Sequence, residues 1–96
     1  MSYQIEALEI LKDAKPILLS KYPIKKLAVF GSVSRKEDDE NSVVDILVEF
    51  NRSVGMEFIH LCYELEKLLN RKVDLVSRNG VKEKYYKEIE PELIYV

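Results

Sequence analysis

The sequence predicts an α/β domain, a small sheet covered by helices, and three observations point there. Residues 26 to 30, Lys-Leu-Ala-Val-Phe, and residues 43 to 50, Val-Val-Asp-Ile-Leu-Val-Glu-Phe, are apolar almost throughout, as strands buried on both faces are. Between residues 56 and 69, Phe58, Leu61, Cys62, Leu65, Leu68 and Leu69 recur at helical spacing, with Glu57, Glu64, Glu66 and Lys67 off the stripe. Helical and strand patterns also alternate along the chain, without repeats, low complexity or a linker.

The elements follow in order. From Ile5, the apolar residues Leu8, Ile10 and Leu11 form a helical stripe that meets Pro16. A proline inside a helix loses a hydrogen bond and crowds the preceding turn, so a kink is expected there, or a break with Asp13 capping a second short helix to about residue 20. Pro23 closes that element, and the first strand then ends at Gly31. Residues 36 to 40 are charged and read as a solvated loop before the second strand. Asn70 is placed to end the long helix. Residues 72 to 76 form a third short strand around Asp74, and Asn79-Gly80 is a turn signal. A charged helix over residues 81 to 89 leads to Leu-Ile-Tyr-Val, which suits a fourth strand.

Ninety-six residues with 47% hydrophobic content are enough for one domain, residues 1–96, because a chain of this size buries only about 60 to 65% of its unfolded surface. Fifteen basic against 17 acidic side chains leave no excess for gripping a nucleic-acid backbone, so free nucleic acid is not an expected ligand. Cys62 is the one cysteine and His60 the one histidine, with no metal-ligand cluster around them, so both read as core and rim of the long helix. A reducing cytoplasmic setting is expected. No apolar run approaches the roughly 20 residues that span a bilayer, and the first residues lack the basic start of an export signal. A homodimer is a reasonable assembly, since so small a chain can leave an apolar edge exposed.

Three places carry chemistry. A glycine leaving a buried strand lets a ligand approach the backbone. If residues 34 to 38 turn helically after Gly31-Ser32, their N–H groups would face an anion, with the Ser32 hydroxyl and the Arg35 guanidinium as further donors. Alternate residues on a strand share a face, so positions 43 and 45 point the same way, and Asp45 can face the Gly-Ser turn from a neighbouring strand. Asp74, between Val73 and Leu75, repeats the oddity of an acid in an apolar strand. Two such acids beside a phosphate-sized turn would suit Mg²⁺, although they could equally cap turns or pair with Arg71 or Lys72. Tyr85-Tyr86 in the last helix could meet a partner or a base, or cover the edge of the core.

The run Phe-Gly-Ser-Val-Ser-Arg, then ten residues from the Gly-Ser pair to Val-Val-Asp-Ile-Leu-Val-Glu-Phe, then Arg-Lys-Val-Asp-Leu-Val, resembles the minimal nucleotidyltransferases of the DNA polymerase β superfamily. That family carries Gly-Ser, ten residues, Asp-x-Asp and a third acid on a later strand. The resemblance implies a mixed sheet of three to four strands like the polymerase β palm. It implies a turn that holds the triphosphate of ATP and carboxylates that hold Mg²⁺. It further implies an antitoxin paired with a HEPN-domain toxin, transferring AMP from ATP to a toxin tyrosine. By this resemblance Gly31 and Ser32 are the phosphate turn, Arg35 its basic partner, and Asp45 and Asp74 the metal-binding and catalytic acids. Ser34 and Lys36 stand where Ala and Gly are commoner, and Val43 takes the place of the first acid. An isopropyl group cannot ligate Mg²⁺, so reduced activity is expected. Three accounts stay open: a degenerate member that binds its toxin or senses ATP without turnover, partial replacement by the loop acid Glu40, or a single-base change from an Asp codon.

Overall fold

The computed structural model describes residues 3–96. The chain runs α1 (Tyr3–Lys21), β1 (Ile24–Phe30), α2 (Gly31–Ser34), β2 (Val44–Phe50), α3 (Glu57–Leu69), β3 (Val73–Ser77), α4 (Glu83–Ile89), a 3-10 turn (Glu90–Glu92) and β4 (Ile94–Tyr95). The strands form one sheet in the order β3-β2-β1-β4. β2 and β3 are parallel, with α3 as the crossover, while β1 runs antiparallel to both β2 and β4. This is the expected α/β architecture, a small mixed sheet under helices.

Of the kink or break expected at Pro16, the break is absent: α1 continues through it, and Asp13 lies within the helix instead of capping a second one. Leu11 and Leu18, one on each side of the proline, are both fully buried, so packing holds the helix together across the missing hydrogen bond. The Pro16 ring itself faces solvent.

Alternation along the strands divides their side chains between two apolar layers. Val44, Ile46 and Val48 of β2, with Val73 and Leu75 of β3, pack under α1 and under Leu61, Leu65 and Leu69 of α3. Each leucine buried this way contributes about 1.5–3 kcal/mol. Leu68 was expected on that stripe but is exposed, in the last turn of α3. On the opposite face Phe30, Leu47 and Ile89 form a smaller cluster with Val76 and Tyr86. Asp45 and Asp74 have the same alternation as Leu47 and Val76, so they belong to this thinner layer, which the short α4 covers only in part.

Asn70 ends α3 in the left-handed conformation, φ 54°, as the sequence suggested. Lys36 also takes a left-handed φ, 60°, a conformation that glycine adopts most easily. The charged loop is pinned by Arg71, whose guanidinium lies 3.5 Å from the Tyr3 ring centre. The same group donates to Asp38 at 3.2 Å and to the Asp39 carbonyl at 2.9 Å. Arg71 therefore serves the loop and is not the partner of Asp45 or Asp74 that its sequence position allowed. Among the described residues no helix is long and apolar enough to cross a membrane.

Candidate active site

Strand direction gathers the three motifs at one end of the sheet. β1 ends where the antiparallel β2 begins, so Phe30 stands opposite Asp45, and the parallel β3 places Asp74 opposite Asp45 on the other side. Gly31 leaves β1 with φ +75°, a conformation that favours glycine. A β-carbon added to Gly31 would lie 2.1 Å from Asp45 Oδ2. The glycine is therefore required twice, by its backbone and by the carboxylate packed against it.

The helical turn differs from the expected one. It spans Gly31–Ser34, and Arg35 is already its C-terminal cap, so residues 34 to 38 do not present a row of N–H groups to an anion. The positive φ of Gly31 starts the turn immediately after the strand, three residues earlier than expected. Gly31, Ser32, Arg35 and Asp45, together with Tyr85, Glu88 and Glu92, line an open cavity of about 390 Å³. A larger hollow of about 510 Å³ between α1 and α3, lined by Lys21, His60, Tyr63 and Glu64, contains none of the expected site residues. The smaller cavity is where the chemistry converges.

Asp45 is partly buried beside a second acid. Burial first, and then the negative charge of Asp74, push its carboxyl above the ordinary value, against a smaller opposing effect of Arg35. The folded chain thus holds this proton more tightly than the unfolded one, and stability falls as pH rises from the ordinary carboxylate value through the raised one. In metal-free buffer Asp45→Asn should melt higher than the parent chain at pH 7, and that gap should close towards pH 4. Melting curves across this range check it; a gap independent of pH would contradict the assignment. Two close acids on adjacent strands form a donor pair that a divalent cation would relieve of its repulsion, so these residues fit Mg²⁺. Among the described residues, however, no three His, Cys, Asp or Glu side chains converge as a metal-ligand set. Val43, where a third acid would stand, lies just before β2 and is 42% exposed. Glu40 is exposed in the loop.

Sequence reasoning missed Glu92. Its carboxylate accepts from the Gly31 N–H at 3.0 Å and from Arg35 Nη1 at 2.7 Å, and its backbone carbonyl accepts from the Ser34 hydroxyl. Glu37 takes Arg35 Nε at 2.8 Å, so the expected phosphate fork is held between two carboxylates. Glu92 lies 61 positions from Gly31 in the chain, and nothing local to it signals the contact. The two tyrosines divide their roles: Tyr86 packs in the thinner layer with the Arg78 guanidinium 3.7 Å from its ring centre, while Tyr85 edges the cavity.

The nucleotidyltransferase domain family model matches residues 11–96. The chain belongs to that family. As a minimal nucleotidyltransferase it is 44% identical over 95 residues to a candidate protein adenylyltransferase of Methanocaldococcus jannaschii, covering 95% of each chain. It is 39% identical over 88 residues to the protein adenylyltransferase MntA of Thermococcus cleftensis, covering 91% of this chain and 89% of that one. A solved candidate minimal nucleotidyltransferase superposes with TM-score 0.80 at 32% identity, over 98% of this chain and 95% of that one. Two more distant structures share the fold. One is a toxin–antitoxin pair with AMP-PNP, TM-score 0.71 at 20% identity, over 96% of this chain and 70% of the matched one. The other is a tri-AMPylated HEPN toxin of Shewanella oneidensis in complex with its MNT antitoxin, TM-score 0.63 at 18% identity, over 99% of this chain and 71% of the matched one.

Proposed function

We propose that this minimal nucleotidyltransferase transfers AMP from ATP to a tyrosine of a HEPN-domain toxin and so acts as its antitoxin, with turnover reduced by Val43. The observation that carries this reading is the Asp45 carboxylate packed on Gly31 in the lining of one cavity, with Asp74 opposite Asp45 on the neighbouring strand. The names of the relatives and the AMP-bearing toxin complex of the same fold support the acceptor class.

In the reaction, the tyrosine oxygen bonds to the α-phosphorus, the bond to the bridging oxygen breaks, pyrophosphate leaves and the phenolic proton passes to solvent. Gly31 N–H, the Ser32 hydroxyl and Arg35 would bind the phosphates, fixing the α-phosphorus for in-line attack. Asp45 and Asp74 would hold Mg²⁺, which when bound supplies charge neutralisation for the triphosphate and the leaving group. The short loop from Phe30 to Arg35 and the edge of Tyr85 would set how deeply the nucleotide sits.

The exposed Val43 favours a second reading, an antitoxin that neutralises by occlusion with a vestigial nucleotide site. Incubation with labelled ATP and a HEPN-domain toxin that it neutralises separates the two. Slow, tyrosine-specific AMP incorporation that falls about 10²-fold or more in Asp74→Asn is expected, the size of loss that follows removal of a charge acting on the transition state. Stoichiometric neutralisation of the toxin with no incorporation would replace transfer by occlusion.

A further inference from the structure

We propose that Glu92 is a built-in competitor for the nucleotide, its carboxylate occupying the phosphate donors until a triphosphate displaces it. This rests on the nucleotide-binding reading of the Gly31–Arg35 turn. Its two oxygens divide between the two donors that a phosphate would need: Oε1 takes the Gly31 N–H at 3.0 Å and Oε2 takes Arg35 Nη1 at 2.7 Å. A carboxylate bridging a backbone N–H and a guanidinium presents the charge and the pair of acceptor oxygens that a phosphate presents.

The placement explains why the contact can both form and yield. Glu92 ends the 3-10 turn that begins at Glu90, and its backbone is tied to the phosphate turn by the Ser34 hydroxyl on its carbonyl. The side chain can therefore leave the donors without the segment undocking. The Arg35–Glu92 pair is also partly open to solvent, with side chains 44% and 26% exposed, so the Arg35 contact is weak enough for a multiply charged triphosphate to replace. Competition for shared donors lowers the apparent affinity of the ligand by the fraction of molecules in which the donors are taken. It also discriminates: a ligand with one phosphate competes poorly, while a magnesium-bound triphosphate brings enough contacts to win.

Glu88 provides the control, because it lines the same cavity with the same charge and forms no hydrogen bond or ion pair with Gly31 or Arg35 among the described residues. Calorimetric titration with ATP in excess magnesium should show Glu92→Ala binding about tenfold tighter than the parent chain, a difference that corresponds to displacing one charged contact pair. Glu92→Gln, which keeps the side-chain length and an acceptor for the Gly31 N–H, should fall between them, and Glu88→Ala should gain clearly less. Unchanged or weaker binding by both Glu92 variants would overturn the competitor role and leave the nucleotide site standing. Equal gains from Glu88→Ala and Glu92→Ala would also overturn it, since general charge removal would then suffice. If neither the parent chain nor any variant binds, the competitor role and the nucleotide reading fall together.

Discussion

Replacing Val43 with aspartate is expected to raise AMP transfer by roughly 10²- to 10⁴-fold and to tighten binding of magnesium-bound ATP. Residue 43 lies immediately before β2, two positions from Asp45, and the native valine is 42% exposed, so the substitution needs no core rearrangement. A third carboxylate would offset more of the cations' charge, a gain of several kcal/mol at the transition state, and each 1.36 kcal/mol is tenfold. Without metal the same substitution adds repulsion beside Asp45, whose carboxyl is already raised by burial and by Asp74. Val43→Asp should therefore melt slightly lower than the parent chain in chelator and gain more on adding magnesium. Single-turnover transfer rates and paired melting curves check both; no gain in either would dismiss the metal-site reading of this sheet end.

Gly31→Ala should be among the most damaging small substitutions in the chain. Its φ of +75° alone costs an alanine about 1–2 kcal/mol. The new methyl group would also fall 2.1 Å from Asp45 Oδ2, so either the carboxylate or the turn must move. A total loss of about 2–4 kcal/mol in urea unfolding is expected, in the range of a strained turn combined with overpacking, together with loss of nucleotide binding. Adding Asp45→Ala should return part of the stability, because it removes the clash but leaves the backbone strain. If Asp45→Ala returns nothing, Asp45 and Gly31 are not in the contact described.

What could be read from the sequence was whatever depends on near neighbours. The runs around Val29, Ile46 and Leu75 announce strands because each is apolar on both faces, and their alternation with the α3 stripe implies the sheet. Spacing brought Gly31 and Asp45 together, since a strand, a loop and a second strand place them at the same end. The break that Pro16 allowed did not form, because the lost hydrogen bond was outweighed by Leu11 and Leu18 packing in the core. The turn was displaced because a positive φ at Gly31 begins it at once, beside the Asp45 carboxylate of a distant strand. Glu92 was invisible for a different reason: it reaches the cavity through tertiary docking of the 3-10 turn, which no periodicity encodes, and the same docking decides that Tyr85, which the sequence left between a ligand contact and the core edge, borders the cavity.

The most direct test of one phosphate and metal site at this sheet end is a calorimetric titration of ATP into the chain, with and without magnesium, repeated for Asp74→Asn. The expected result is weak, saturable binding that needs magnesium and is lost in the Asp74 variant. Binding that is indifferent to magnesium, or that survives Asp74→Asn at full strength, would contradict it.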